Sequence, residues 1–302
     1  VDGRRTHWAE VIRARAAAHW TEERQRATFG PKALSVPPVE GAVLLRAMGL
    51  LRGDGAMAPA AVRKYLQVNH MVGLLRQDLV RHGADRPLRV LDAGCGRSYL
   101  SLVLAWCAQA RWGLQLEVVG VDRNPAVIEE CRRRAELAEL AHVMTFAAGH
   151  LDELTPAPGQ FDVVLALHAC DRATCDALAL AVRAEATLVA VAPCCQAELA
   201  QAWAAASTDQ AGAGGGFAPV WRTPHLRREL GAHVTDAMRG LLLASAGYRV
   251  TSQEFVPAEH SRKNTLIRGE RDAAVDRAAA RADYAALVTA TGGAGLALAT
   301  RL

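Results

Sequence analysis

The sequence predicts an α/β protein: a largely parallel sheet with helices packed on its faces. Three observations predict it. From Arg89 onward, short apolar runs alternate with helical stretches, the pattern of repeated βαβ units. The first run, Val90-Leu91, ends in Asp92-Ala93-Gly94-Cys95-Gly96, a glycine turn between a strand and a helix start. The next run, Leu116 to Val121, ends in Asp122, 30 residues after Asp92. An acid there is placed to accept hydrogen bonds from ribose hydroxyls.

The elements follow in order. Residues 1–30 read as one helix, with Trp8, Val11, Ile12, Ala16 and Trp20 on one side and a break at Phe29-Gly30-Pro31. A second helical stretch runs from Val39 to Leu51, and a third, opened by Ala58-Pro59, from Ala60 to about His82. Residues 1–85 therefore read as an N-terminal helical cap for substrate recognition. Strand Val90–Ala93 leads to helix Ser98–Ala110, and strand Glu117–Val121 to helix Pro125–Ala138. Strand Val143–Ala147 stops at Gly149. Strand Phe161–Ala166 leads to helix Arg172–Ala184, and strand Thr187–Ala192 to helix Gln196–Ala206. Residues 207–219, with Gly212-Ala213-Gly214-Gly215-Gly216, read as a mobile loop. A helix from Leu226 to Ala246 precedes two last strands, Tyr248–Val256 and Asn264–Arg268. The main domain is thus residues 86–271, and residues 272–302 form an alanine-rich helical tail.

Composition narrows the class. Of 302 residues, 51% are apolar, enough for a sizeable core. The excess of 35 basic over 31 acidic residues is too small for a nucleic-acid coat protein. Seven cysteines, an odd number without framework spacing, argue against disulfides and for a reducing cytoplasm. The first residues lack the apolar core of a signal peptide, and no apolar run is long enough to span a bilayer, so no membrane partner is expected. Abundant alanine and arginine with little lysine suggest a GC-rich bacterial genome.

In an open α/β sheet, ligands bind beyond the carboxyl ends of the strands. That edge gathers Asp92–Gly96, Asp122-Arg123-Asn124, Gly149-His150-Leu151, Leu167-His168-Ala169-Cys170-Asp171, Pro193-Cys194-Cys195-Gln196 and Glu259-His260-Ser261-Arg262-Lys263-Asn264. Tyr99 stands where a dinucleotide fingerprint needs its third glycine, which counts against a dehydrogenase.

Asp92-x-Gly94-x-Gly96 together with Asp122 resembles the class I S-adenosylmethionine-dependent methyltransferases. The resemblance implies a Rossmann-like sheet of seven strands, the last antiparallel, with S-adenosylmethionine as cofactor and S-adenosylhomocysteine as product. It implies a cofactor-binding set of Asp92, Gly94, Cys95, Gly96, Asp122, Arg123, Gly149, His150, Leu151 and Leu167. The glycine turn would approach the methionyl part, and Asp122 the ribose. His150 departs from the acid or amide usual beside the adenine; a cofactor contact and a surface histidine both remain open. His-x-Cys after the fourth strand, Cys-Cys after the fifth and Glu-His-x-x-Lys-Asn before the last are similar to the methyltransferase domain of the glutathione S-transferase C-terminal-domain-containing protein and its relatives, over about Arg63 to Arg268.

For chemistry, His168 and Asp171 stand after the fourth strand, where a proton could be taken or the acceptor oriented. The Asn/Asp-Pro-Pro-aromatic motif of amino-methylating nucleic-acid enzymes is absent, which counts against exocyclic base amines. Three explanations stand for the cysteines. They are small buried hydrophobes, or zinc ligands with His168 or Cys175, a reading that lacks a C-x-x-C pair, or they include a nucleophile, Cys194. Glu259, His260, Lys263 and Asn264 are the candidate substrate residues. Residues 220–271 hold nine Arg/Lys against five acids, a candidate basic rim. The acceptor expected is RNA, ribosomal or transfer. The alternatives are a protein side chain, a small molecule, or a non-catalytic cofactor-binding scaffold.

Overall fold

The computed structural model describes residues 2–31, 33–167, 172–193, 196–209, 217–255 and 265–302. The chain divides into two compact units, Val1–Gly149 and His150–Leu302. The seven strands among the described residues make the Rossmann-like class I methyltransferase sheet expected from the sequence, and the N-terminal helices are present.

In the first unit, β1 (Leu88–Ala93), β2 (Leu116–Asp122) and β3 (Met144–Ala148) lie in the order β3-β2-β1, all parallel. The register sets Asp92 opposite Gly120 and Asp122 opposite Ala148, so the ends of β1 and β2 stand side by side. β1 is buried almost throughout. α5 (Tyr99–Cys107), which follows it, buries seven of its residues around the helix. Both read as near-continuous apolar runs because both are covered on more than one side. α6 (Pro125–Leu137) is amphipathic and buries Ile128, Cys131, Arg134 and Ala135.

The N-terminal helices belong to this unit and do not follow the sequence expectation throughout. Residues 1–30 form two helices, α1 (Asp2–His19) and α2 (Glu22–Phe29), because Thr21 caps the second. Its hydroxyl accepts the Arg24 amide. Between Val39 and Leu51 only Ala42–Ala47 is α-helical (α3), and Gly49 turns the chain at φ +74°. α4 (Pro59–His82) is a long amphipathic helix. Its Tyr65 donates to Val36 O at 2.5 Å, and Asn69 Oδ1 accepts the Val36 amide at 2.9 Å, which fixes the incoming chain on the helix.

In the second unit, β4 (Val163–Leu167), β5 (Leu188–Ala192), β6 (Tyr248–Glu254) and β7 (Thr265–Arg271) lie in the order β4-β5-β7-β6. β4 and β5 are parallel, and β7 runs antiparallel to β5 and to β6. Helices α7 (Arg172–Arg183), α8 (Glu198–Asp209), α9 (Ala218–Arg222), α10 (Pro224–Ser245) and α11 (Arg277–Ala290) complete it. Of the segment expected to be a mobile loop, 207–219, α8 takes the residues up to Asp209 and α9 those from Ala218, and residues 210–216 lie outside the described residues. Trp203 stacks on Trp221 at 5.5 Å between centroids, which ties α8 to α9. No described helix is long and apolar enough to cross a membrane.

Gly120 shows how tightly the first sheet is filled. A Cβ there would stand 2.6 Å from the Phe146 ring and 3.2 Å from Cys95 Sγ. Gly120→Ala is expected to cost about 1–3 kcal/mol of stability through overpacking. Urea unfolding measures it, and an unshifted midpoint would contradict this packing.

Candidate functional site

The glycine turn is built by its own backbone. Gly94 (φ +72°) and Gly96 (φ +51°) are both left-handed, and so is Ser98 (φ +55°), where a side chain makes that conformation costly. The amides of Gly94 and Cys95 both donate to Val121 O at 2.9 Å, and the Ser98 amide to Cys95 O at 2.8 Å. Side chains then offset the strain at Ser98. Its hydroxyl lies 2.5 Å from that of Ser101, which donates to Asp92 Oδ2 at 2.6 Å. Asp92 is thus a buried brace for the start of α5. Burial pushes its pKa up to about 6; the Ser101 hydrogen bond works against this, and the nearby Asp122 charge adds to it.

Asp122 joins the two strand ends. Its Oδ2 accepts the Gly96 amide at 3.0 Å, and its Oδ1 the Asn124 amide at 2.9 Å. Its carbonyl accepts the Gly149 amide at 3.1 Å, which brings in the end of β3. The carboxylate is half-exposed, and each oxygen keeps a lone-pair direction for an outside donor. Above the turn there is room: nothing lies within 4 Å of a Cβ built on Gly96 or on Gly149. A fixed acid beside an open glycine cradle fits a ribose and the chain attached to it. Arg123 is exposed at the same corner.

Three residues that the sequence did not single out hold the turn from below. Cys131 Sγ donates to Gly96 O at 3.1 Å. Arg134, itself buried, donates to Arg97 O at 3.2 Å and to Glu130 at 2.8 Å. Glu130, hydrogen-bonded by Arg133 and Arg134, is held at about 2, so it stays ionised at any working pH. The Cys95 thiol is pushed well above its ordinary value by its hydrogen bond with Cys131 and by burial, so it stays neutral. The spacing of Glu130, Cys131 and Arg134 along α6 was the available signal, since these share the face turned to the turn.

In the second unit, Leu151 is buried at the start of a 3-10 turn (Leu151–Glu153), His150 before it is exposed, and Leu167 ends β4 opposite Ala192. The structure therefore gathers Asp92, Gly94, Cys95, Gly96, Asp122, Arg123 and Gly149 at one corner. His168, Asp171, Cys194, Glu259, His260, Lys263 and Asn264 lie outside the described residues, as do Cys170 and Cys195. Among the described residues of this unit stands a buried polar cluster. Gln196 Nε2 donates to Asp236 Oδ2 at 2.9 Å, Arg239 Nη1 to Asp236 Oδ1 at 3.2 Å, and Arg239 Nη2 to Cys175 Sγ at 3.5 Å. Among the described residues no group of three His, Cys, Asp or Glu could hold a metal ion.

The basic rim is thinner than its charge count. Arg239 is fully buried in that cluster, Arg249 pairs with Glu270, and Arg271 with Glu185. Arg222, His225, Arg228 and His233 are exposed along α9 and α10.

Residues 63–202, from α4 to α8, match a family model described as a methyltransferase domain. No curated relative matches the sequence. Among solved structures, S-adenosylhomocysteine-bound methyltransferase PaMTH1 from Podospora anserina is similar at 12% identity and a TM-score of 0.47, covering 83% of this chain and 94% of its own. A protein described as a possible exported protein from Bordetella parapertussis is similar at 16% identity and a TM-score of 0.44, covering 90% and 97%. An S-adenosylmethionine-dependent methyltransferase from Aquifex aeolicus is similar at 13% identity and a TM-score of 0.40, covering 64% and 87%. The matched methyltransferase domain carries the glycine turn and Asp122 within it.

Asp122→Ala is expected to weaken S-adenosylmethionine binding about 10–100-fold, the worth of one or two hydrogen bonds to a charged acceptor. Calorimetry gives the affinity and circular dichroism checks the fold; unchanged affinity would remove Asp122 from the site. Asp92 gives a pH signature. Its folded-state pKa of about 6 lies above the ordinary 3.8, so the stability it contributes is full below about pH 4 and is lost as pH rises through 6. Asp92→Asn, which cannot ionise, is expected to gain on wild type by up to about 3 kcal/mol between pH 4 and 7. Urea unfolding across that range measures the difference; a pH-independent difference would contradict the assignment.

Proposed function

We propose that this methyltransferase acts on RNA, ribosomal or transfer. The observation that carries this reading is the exposed basic side of α9 and α10, with Arg222, His225, Arg228 and His233 available to phosphates. The similarity of its later motifs to the methyltransferase domain of the glutathione S-transferase C-terminal-domain-containing protein supports membership of that subgroup.

In this reading S-adenosylmethionine supplies an electrophilic methyl group that passes to an in-line nucleophile. The chain's own residues do the rest. Asp122 accepts the ribose hydroxyls, with Arg123 at the same corner. Gly94, Cys95 and Gly96 let the methionyl portion lie close to the backbone, and Asp92 keeps that backbone in place. Gly149, His150, Leu151 and Leu167 serve the adenine side. His168 and Asp171 take the acceptor's proton or orient it, and Cys194 is the candidate nucleophile. Glu259, His260, Lys263 and Asn264 meet the substrate. Most of the rate enhancement comes from holding the two reactants in line. The helices of residues 1–85 select the acceptor.

A second reading has its own support. With Arg239 buried and Arg249 and Arg271 bound to acids, much of the local positive charge is neutralised within the fold. That favours a protein side chain or small molecule over a polyanion. Incubating the protein with radiolabelled S-adenosylmethionine and cell extract, then dividing the sample between RNase and protease, separates the readings. Label lost with RNase is the expected result. Label that survives RNase moves the acceptor to protein or metabolite, and no label in any fraction leaves a scaffold that binds the cofactor without using it.

A further inference from the structure

The cations around the glycine turn are not equivalent. Arg134 is committed to Glu130 and to Arg97 O. Arg132 is committed to Glu129 and to Phe146 O. Arg97 and Arg123 are exposed and solvated. Lys64, on α4, differs from all of these. It is half-buried, and its ammonium sits 5.2 Å from the centroid of the Tyr99 ring. Tyr99 is the first residue of α5, three positions after Gly96, and Arg134 lies 5.1 Å from the same ring centroid. Among the described residues no carboxylate pairs with Lys64. Removal from water lowers its pKa; Tyr99 works against this, and no carboxylate does.

A half-buried ammonium without a carboxylate is costly. It persists where something else supplies the opposite charge. α4 packs directly on α5, so the lysine is carried on the element that flanks the turn. S-adenosylmethionine has one anionic group, the carboxylate of its methionyl portion. Its ribose and adenine are neutral, and its sulfonium and amine are positive. The methionyl portion is the part read above as lying along Gly94–Gly96. The lysine beside the turn and the ligand's one negative charge are therefore complementary.

We propose that Lys64 binds the carboxylate of the methionyl portion of S-adenosylmethionine, with the Tyr99 ring holding the ammonium in position. The proposal rests on the cofactor reading of the glycine turn. It also gives Tyr99 a purpose: the ring that stands where a dinucleotide fold has glycine is a platform for the lysine. The helix that carries Lys64 thereby becomes part of the cofactor site. Of the stretch Arg63 to His70, Tyr65 and Asn69 serve the fold, while Lys64 serves the ligand.

The test uses a pair of ligands and a pair of variants. Calorimetry would compare S-adenosylmethionine with decarboxylated S-adenosylmethionine, which lacks only the carboxylate, on wild type, Lys64→Met and Lys64→Arg. Wild type is expected to prefer the carboxylated ligand by about tenfold or more, the worth of one charge-assisted hydrogen bond. Lys64→Met is expected to lose that preference, and Lys64→Arg to keep most of it. Thermal unfolding of each variant confirms that the fold is kept. If Lys64→Met weakens both ligands alike, or keeps the wild-type preference, the lysine is structural and the proposal falls while the cofactor reading stands. If wild type binds neither ligand, the cofactor reading itself fails, and the proposal with it.

Discussion

The hydrogen bond from the Gly96 amide to the Asp122 carboxylate is the constraint on which the first unit's site depends. It joins the turn after β1 to the end of β2. Because the same carboxylate also takes the Asn124 amide, its two oxygens are fixed before any ligand arrives. The paired bonds from Gly94 and Cys95 to Val121 O hold the other side of the turn. A site preorganised in this way loses little on binding, since the acid proposed to meet the ribose need not be ordered first. What lies beneath has the same purpose. Cys131 and Arg134 occupy the carbonyls of Gly96 and Arg97, so the turn cannot relax toward the helix behind it.

The second unit solves a different problem. Gln196, Asp236, Arg239 and Cys175 bury a charged pair and two polar groups beside the ends of β4 and β5. Breaking such a pair by removing one partner costs about 3–5 kcal/mol, because the other charge is left buried. That cost makes the cluster a rigid link between α7, α10 and Gln196 just ahead of α8. Arg239 therefore belongs to the interior, and a count of charges along residues 220–271 overstated what a polyanion would meet.

What the sequence made legible was what local chemistry dictates. Gly94 and Gly96 could be read because a tight left-handed turn demands glycine there, and Asp122 because it stands at the end of the second apolar run. The order of strands and helices could be read because a doubly covered sheet leaves long apolar runs. Other features depended on contacts distant in the chain. Thr21 divides the first helix because its hydroxyl reaches the Arg24 amide, a choice that apolar periodicity across Trp8 to Trp20 does not reveal. Ser101 bracing Asp92, Cys131 beneath Gly96 and Lys64 over Tyr99 each join elements that only folding brings together. Asp92 carries a further lesson: expected from the sequence as a cofactor contact, it is 3% exposed and bonded to Ser101, and what it supports is the backbone of the turn.

Hydrogen–deuterium exchange followed with and without S-adenosylhomocysteine tests the central claim most directly. The peptides that matter are those covering the turn after β1 and the end of β2. If Asp122 and the glycine turn form one preorganised site, both segments exchange slowly in the free protein and slow further together on ligand addition. Protection confined to other segments, or fast exchange of the turn amides in the free protein, would contradict the account.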